Sequence, residues 1–158
     1  MLQMIRAILG DKDDRTRLSL VFSNRREEDI LMRGELDELA EKHAEDGGDG
    51  RFRVHYVLSQ PPMDGASMGP ENTNGGAVWE GGTGWIGPED VGPAHLPTPV
   101  DGETMVLVCG QDEFLDTVSG RTMRAPPPPG KKKGPKIQGE LTGVLAQVGY
   151  GAQHVYKF

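Results

Sequence analysis

The chain has very little cysteine, since Cys109 is the single one among 158 residues. One cysteine cannot form an internal disulfide bond, and the four histidines, at positions 43, 55, 95 and 154, show no spacing typical of a zinc site. The sequence therefore excludes a disulfide-stapled secreted fold. It predicts an intracellular protein without a metal centre.

Long apolar runs are also absent. No stretch approaches the roughly 20 apolar residues that a membrane-spanning helix needs. The first residues, MLQMIR, lack the cleavage pattern of a signal peptide. The sequence predicts neither export nor a membrane span within this chain.

A basic face is missing as well. The net charge is −7 at pH 7, and the single basic run, Lys131–Lys133, lies in a proline-rich segment without interleaved aromatic residues. Because nucleic-acid binding requires positive charge along a surface, we expect no nucleic-acid partner.

Glycine and proline, in contrast, are abundant and unevenly placed. The 23 glycines and 12 prolines cluster between residues 61 and 102 and between 125 and 139. This clustering predicts an exposed insertion of low order at about 63–78 and a basic, proline-rich surface loop at about 121–138. The length otherwise suits one domain over residues 1–158.

Helical and strand patterns alternate along the remaining sequence. Apolar residues at helical spacing predict helices at 1–9, 35–43, 89–96, 114–118 and 141–148. Alternating or continuous apolar runs predict strands at 18–23, 51–58, 104–108 and 155–158. This order predicts parallel crossovers, and hence an α/β fold with a doubly wound, Rossmann-like, mostly parallel sheet.

The strand predicted at 104–108 ends abruptly at Cys109 and Gly110. In open α/β sheets, ligands bind at the carboxyl ends of the strands, so this corner is a candidate cofactor contact. A lone cysteine is otherwise most simply a small buried hydrophobic residue. The residues by themselves leave both interpretations open.

Several motifs in order resemble one family. The motifs are Met1–Arg6, Phe22–Arg25 with Glu28–Leu31, Val108–Gly110 and the terminal Phe158. Together they resemble the pyridine-nucleotide domain of NADH-cytochrome b5 reductases and the flavin part of nitrate reductases. The resemblance covers most of the chain outside the two insertions. It implies a ferredoxin-reductase-type flavoenzyme in which NAD(P)H gives a hydride to FAD, and the flavin passes single electrons to a haem or iron protein such as cytochrome b5.

The resemblance also implies how the adenosine end of the dinucleotide is held. Asn24 and Arg25 match the loop that meets adenosine, and Trp85 matches an aromatic residue that flanks adenine, although it could equally be a core or rim aromatic. Ser59 and Gln60 occupy the strand end where NADH-preferring members carry an acid that repels the 2′-phosphate of NADPH. The choice between NADH and NADPH therefore stays open.

At the nicotinamide end, the resemblance places Cys109 beside the nicotinamide and lets the dinucleotide approach the backbone at Gly110. Phe158 matches a terminal aromatic that packs near the flavin and must yield to the nicotinamide. Gln111 stands where the family usually has proline, and Phe114 where methionine is common. No catalytic acid or base is predicted, because hydride transfer needs none.

Two family features are missing from the sequence: a flavin-binding domain, and the first strand with its glycine-rich loop. Gly81–Gly84 has the letters of that loop, but its place in the chain predicts a turn instead. We expect a sheet that is incomplete at its N-terminus, with unpaired edges on the strands that begin at Leu18 and Thr104.

We therefore expect a fragment of a longer chain that is inactive by itself. Any association with mitochondrial or endoplasmic-reticulum membranes would be made through sequence preceding Met1. The alternative is a non-enzymatic binding or regulatory module that retains the Rossmann-like sheet.

Overall fold

The computed structural model describes residues 1–62 and 79–158. These residues form two compact units, Met1–Trp85 and Ile86–Phe158. The insertion predicted at 63–78 lies outside the described residues.

The first unit is a small parallel sheet with two helices. The elements are α1 (Leu2–Gly10), β1 (Leu18–Asn24), α2 (Arg33–Lys42), β2 (Phe52–Leu58) and β3 (Gly82–Thr83). The strands run parallel in the order β1-β2-β3, and β1 and β2 are paired from Leu18 opposite Phe52 to Asn24 opposite Leu58.

The core of this unit joins the apolar faces of both helices to the sheet. Ile5 and Leu9 of α1 lie one helical turn apart and form one buried cluster with Leu36 of α2 and Phe52 of β2. Val54 and Tyr56 pack against the same cluster. The alternating sequence of β2 predicts one apolar face with Phe52, Val54, Tyr56 and Leu58. The first three of these belong to the cluster or pack against it.

The second unit contains a parallel strand pair and an antiparallel hairpin. The elements are β4 (Val106–Val108), α3 (Asp112–Val118), β5 (Met123–Arg124), β6 (Lys136–Ile137), α4 (Gly143–Gln147) and β7 (Val155–Lys157). Strands β4 and β7 are parallel, with Val106 opposite Val155 and Val108 opposite Lys157. Strands β5 and β6 are antiparallel.

The predicted α/β class with parallel strands is confirmed, but one predicted helix is wrong. Residues 89–96 form consecutive turns, with the amides of His95 and Leu96 donating to the carbonyl oxygen of Gly92. Pro93 has no N–H group and disfavours helical geometry at the residue before it. Val91 and Leu96 are nevertheless buried, so their spacing reflects burial and not helix formation.

The strands β1 and β4 are less buried than their apolar sequences predict. Every residue of β1 is partly exposed, and Val108 is the one buried residue of β4. Within the described ranges each of these strands has a single neighbouring strand, β2 for β1 and β7 for β4. One backbone edge of each is therefore unpaired among these residues, as expected for strands that begin near Leu18 and Thr104.

Neither described range, 1–62 or 79–158, contains a helix of the length and apolar character that crossing a membrane requires.

Candidate functional site

Four of the predicted site residues lie together at the carboxyl ends of β1 and β2. The amide of Ser59 donates a 3.1 Å hydrogen bond to the carbonyl oxygen of Asn24, and the amide of Gln60 donates a 2.8 Å bond to that of Arg25. The parallel pairing thus continues for two residues beyond the end of β2. It sets these four residues at the sheet edge where α/β proteins bind ligands.

Two guanidinium groups converge on one side chain at this edge. Arg25 Nε lies 3.1 Å from Gln60 Oε1, and Arg26 Nε lies 3.4 Å from the same oxygen. Arg26 also pairs with Glu28 at 3.3 Å. Sequence reasoning missed Arg26, although the Arg25-Arg26 doublet directly after a strand was an available signal.

The side chain of Asn24 has an unused hydrogen-bond donor. Its Nδ2 atom is buried and has no partner among the described residues. A buried amide donor without a partner costs free energy, so such groups normally meet a protein group, water or a ligand. The edge at Asn24 and Arg25 therefore fits a ligand that carries hydrogen-bond acceptors and negative charge.

The glycines before Trp85 bring a short strand close to β2 and then turn the chain. A Cβ atom at Gly81 would lie 2.5 Å from the carbonyl oxygen of Tyr56, and Gly84 has a φ of +92°. The turn predicted over Gly81–Gly84 is therefore found at Gly84, whereas Gly82 and Thr83 form β3. Trp85 follows the turn with 69% of its surface exposed, which rules out a core position and leaves an exposed aromatic ring.

A cation–π stack stabilises the glycine-containing segment that precedes Trp85. The guanidinium carbon of Arg33 lies 5.6 Å from the ring centre of Tyr56 and 5.7 Å from that of Trp79. Trp79 Nε1 donates a 3.0 Å bond to the carbonyl oxygen of Gly82. Burial, together with the 2.7 Å bond that its hydroxyl donates to Asp37, raises the pKa of Tyr56. Tyr56 is therefore a neutral donor that fixes this stack.

In the second unit, the predicted corner follows β4. Cys109 is exposed and free, so the interpretation of this thiol as a small buried hydrophobic residue is wrong. At Gly110 a Cβ atom would lie 2.4 Å from Cδ1 of Phe114. Gln111 precedes α3 and accepts a 2.9 Å bond from the amide of Leu115. The backbone at Gly110 thus packs on the Phe114 ring while Cys109 stays open to solvent.

The last residue is anchored next to this corner. The amide of Phe158 donates a 3.0 Å bond to the carbonyl oxygen of Val108. The residue is 48% exposed, and its ring meets Tyr156 edge-on, at 5.1 Å between ring centres. An aromatic surface therefore lies beside the residue that precedes Cys109.

Lys157 anchors the end of β7 on the strand face opposite the rings of Tyr156 and Phe158. Its side chain is buried, and Nζ donates to the carbonyl oxygens of Ser119 at 3.3 Å and Glu140 at 2.9 Å. Burial lowers the pKa of Lys157. Sequence reasoning missed this role. The one available signal was the period-two alternation at the end of the chain, which sets Val155 and Lys157 on one strand face and Tyr156 and Phe158 on the other.

The predicted residues thus form two groups, one in each unit. Asn24, Arg25, Ser59 and Gln60 lie at or just after strand ends in the first unit, and Cys109, Gly110 and Phe158 do so in the second. Trp85 belongs to the first unit and follows β3. No set of three or more His, Cys, Asp or Glu side chains in 1–62 and 79–158 could hold a metal ion.

Comparison with known sequences and structures yields one family and a consistent set of relatives. Residues 1–120 match the family described as oxidoreductase NAD-binding domain. The chain is 39% identical over 158 residues to NADH-cytochrome b5 reductase 2 of Chaetomium globosum, spanning all of this chain and 37% of that protein. It is 35% identical to the protein of the same name from Neurospora crassa, with the same two shares, 100% and 37%.

Solved structures share the fold. The cytochrome b5 reductase domain of Ulva prolifera nitrate reductase matches 99% of this chain and 42% of its own, with a TM-score of 0.65 and 22% identity. The CS-b5R domains of human Ncb5or in the NAD+ form match 100% of this chain and 32% of their own, with a TM-score of 0.60 and 22% identity. The chain spans less than half the length of each of these proteins.

Proposed function

Because the chain belongs to the oxidoreductase NAD-binding domain family, we propose that it binds NAD(P)H and presents the nicotinamide for hydride transfer as one module of a larger flavin-dependent reductase. One observation carries the proposal. The family resemblance assigns Asn24 and Cys109 to the dinucleotide, and both lie at strand carboxyl ends, one in each unit. Asn24 has an unused donor, and Cys109 has an open thiol.

In this proposal the edge of the first unit holds adenosine. Asn24 Nδ2 donates to the ligand, Arg25 supplies positive charge, and the exposed ring of Trp85 packs on the adenine face. An adenine ring and a phosphate group need these two kinds of contact, apolar and cationic.

The corner of the second unit receives the nicotinamide. Cys109 lies beside the ring, and the bare backbone of Gly110 permits close approach. Gln111 and Phe114 shape the wall behind it, and the Phe158 side chain lies at the surface that the nicotinamide approaches. These residues orient the cofactor and exclude water. They need not move a proton, because hydride transfer requires no acid or base.

FAD and the electron acceptor belong to the proposal for the whole protein. FAD would accept the hydride and release single electrons, and it would be held mainly by protein outside this chain. A haem or iron protein such as cytochrome b5 would receive the electrons. Any attachment to mitochondrial or endoplasmic-reticulum membranes would likewise reside outside these residues.

The structure supports weak discrimination between NADH and NADPH. Ser59 and Gln60 bring no carboxylate to the end of β2, and two guanidinium groups lie within 3.4 Å of Gln60 Oε1. A 2′-phosphate would therefore meet positive charge and no acid from these two residues. We expect Gln60→Glu to lower the affinity for NADPH about tenfold relative to NADH, since a carboxylate repels the added phosphate.

Alkylation of Cys109 tests the proposed nicotinamide site directly. Cys109 is the only cysteine of the chain, so the rate of its reaction with iodoacetamide reports on one position. We expect saturating NADH to slow this reaction, and NADH at the same concentration to leave the reaction of free glutathione unchanged. Equal alkylation rates with and without NADH would contradict the proposal.

A flavin titration tests whether this chain is only one module. The purified chain should neither bind FAD tightly nor oxidise NADH. Tight flavin binding or NADH oxidation by residues 1–158 alone would show that the module is self-sufficient.

A further inference from the structure

The segment from Arg121 to Gln138, here called the basic hairpin, has an unusual charge. It contains six lysines and arginines and no aspartate or glutamate, in a chain whose net charge is −7. Predicted as a loop, it instead contains the hairpin of β5 and β6. The proposed dinucleotide site uses none of its residues.

The base of the basic hairpin is held in place. Met123 lies opposite Ile137, and the amide of Ala125 donates a 3.0 Å bond to the carbonyl oxygen of Pro135. A Cβ atom at Gly134 would lie 1.7 Å from the carbonyl oxygen of Ala125. The two arms of the hairpin therefore approach each other so closely that position 134 requires glycine.

One arm presents four consecutive prolines, Pro126–Pro129, all of them exposed. Each ring fixes its own φ, and each proline restricts the residue before it to extended geometry, so Ala125–Pro128 favours the polyproline II conformation. The amide of Lys131 donates a 3.0 Å bond to the carbonyl oxygen of Pro128, and Gly130 has a φ of +79°. These values fit a type II turn that ends the proline run.

The other arm presents uncompensated positive charge. Lys131, Lys132, Lys133 and Lys136 are exposed, and none of them forms an ion pair within the described part of the chain. Arg121 differs, because it pairs with Asp116 and with Asp112 at 3.6 Å. Arg124 donates a 3.2 Å hydrogen bond to the carbonyl oxygen of Gly134 within the hairpin. Three of the four unpaired lysines, Lys131–Lys133, follow the proline run and Gly130 directly.

We propose that the basic hairpin is a docking element for a protein domain that reads polyproline II in an aromatic-lined groove and carries carboxylates beside that groove. Exposed prolines fit aromatic grooves and lose little conformational entropy on binding, because their backbone is already restricted. The adjacent lysines select an acidic rim. An anionic membrane would use the lysines and leave the four prolines unexplained.

Calorimetric titration of the 158-residue chain with purified SH3, WW and EVH1 domains that have acidic groove rims tests the proposal. We expect at least one class to bind, and Pro127→Ala with Pro128→Ala to weaken that binding about tenfold, as expected for loss of an interface anchor. The triple variant Lys131→Gln, Lys132→Gln, Lys133→Gln should also weaken binding and reduce its dependence on salt.

Matched controls are available elsewhere on the surface. Pro93→Ala and the double variant Lys12→Gln, Lys42→Gln change exposed residues outside the basic hairpin and should leave binding unchanged. Thermal unfolding of each variant establishes that it is folded.

Two outcomes would overturn the proposal. One is the absence of binding to all three domain classes. The other is binding to phosphatidylcholine–phosphatidylserine vesicles that needs the lysines but not the prolines, which would identify a membrane contact instead.

Discussion

The amide of Phe158 donates a 3.0 Å hydrogen bond to the carbonyl oxygen of Val108. This bond joins the last residue of the chain to the residue that precedes Cys109. Since it uses main-chain atoms only, the Phe158 ring can be removed without losing it. The ring and the anchor can therefore be tested separately.

Phe158→Ala should tighten NADH binding by about threefold or more, because a ring that must move aside for the nicotinamide imposes a conformational cost that the variant lacks. Its stability should change by no more than about 0.5 kcal/mol, as is usual for a side chain at the surface. Fluorescence titration with NADH and urea unfolding measure the two effects.

The control is Met105→Ala, which removes another exposed apolar side chain from the same unit. It should leave NADH affinity unchanged. Indifference of the chain to loss of the Phe158 ring would favour the alternative of a non-enzymatic module.

Gly110→Ala should destabilise the chain by about 1–3 kcal/mol, the usual cost of overpacking. The new Cβ atom would lie 2.4 Å from Phe114 Cδ1 and 3.2 Å from its Cβ, so the ring cannot avoid it by rotation alone. Gly10→Ala is the matched control, because nothing lies within 4 Å of its added Cβ. That variant should be neutral or stabilising by roughly 0.5–1 kcal/mol, since Gly10 ends α1.

A double-mutant cycle in urea unfolding identifies the cause. On a Phe114→Ala background, Gly110→Ala should cost far less than in the parent chain. An equal cost on both backgrounds would rule out the contact with Phe114 as the reason for glycine.

Arg51→Met should destabilise the chain by roughly 1–3 kcal/mol, because it leaves carbonyl groups in the last turn of α1 and in the loop after it without their donor. The Arg51 guanidinium donates to the carbonyl oxygens of Leu9 at 3.2 Å and Asp14 at 2.8 Å. Arg53→Met is the control, since Arg53 is exposed and its Nε donates to Ser19 Oγ at 2.9 Å. Chemical unfolding that shows similar losses for both variants would contradict this role of Arg51.

Asp49 should make stability depend on acid pH. The guanidinium of Arg51, 2.6 Å away, is the largest cause that lowers the pKa of Asp49 from 3.8 to about 2, with a smaller contribution from His43. Because the folded chain holds this proton less tightly than the unfolded chain, the carboxylate stabilises the fold above pH 3.8. That contribution is lost as the pH falls through about 2.

Asp49→Asn should therefore lose less stability than the parent chain over this range, as measured by thermal unfolding at a series of pH values. Asp46→Asn, at an exposed position in the same turn, should retain the parent profile. An unchanged acid profile in Asp49→Asn would refute the prediction.

Local patterns predicted the parallel strands and the edge where the candidate residues collect. Parallel strands end at a common edge, so the positions of Asn24 and Gln60 at their strand ends sufficed to bring them together. The helix predicted at 89–96 was wrong because Gly92-Pro93 interrupts it, although the burial implied by Val91 and Leu96 was correct. The roles proposed for the site residues stay predictions.

The sequence by itself determined the α/β class, the presence of parallel strands and the membership in one family, because these depend on local periodicity and on motifs in a set order. The tertiary structure alone decided that Cys109 is exposed, that Arg26 joins Arg25 at Gln60, and that Lys157 is buried against two carbonyl groups. Exposure, charge clustering and burial depend on which distant segments contact one another, and the periodicity of one segment does not specify its distant contacts.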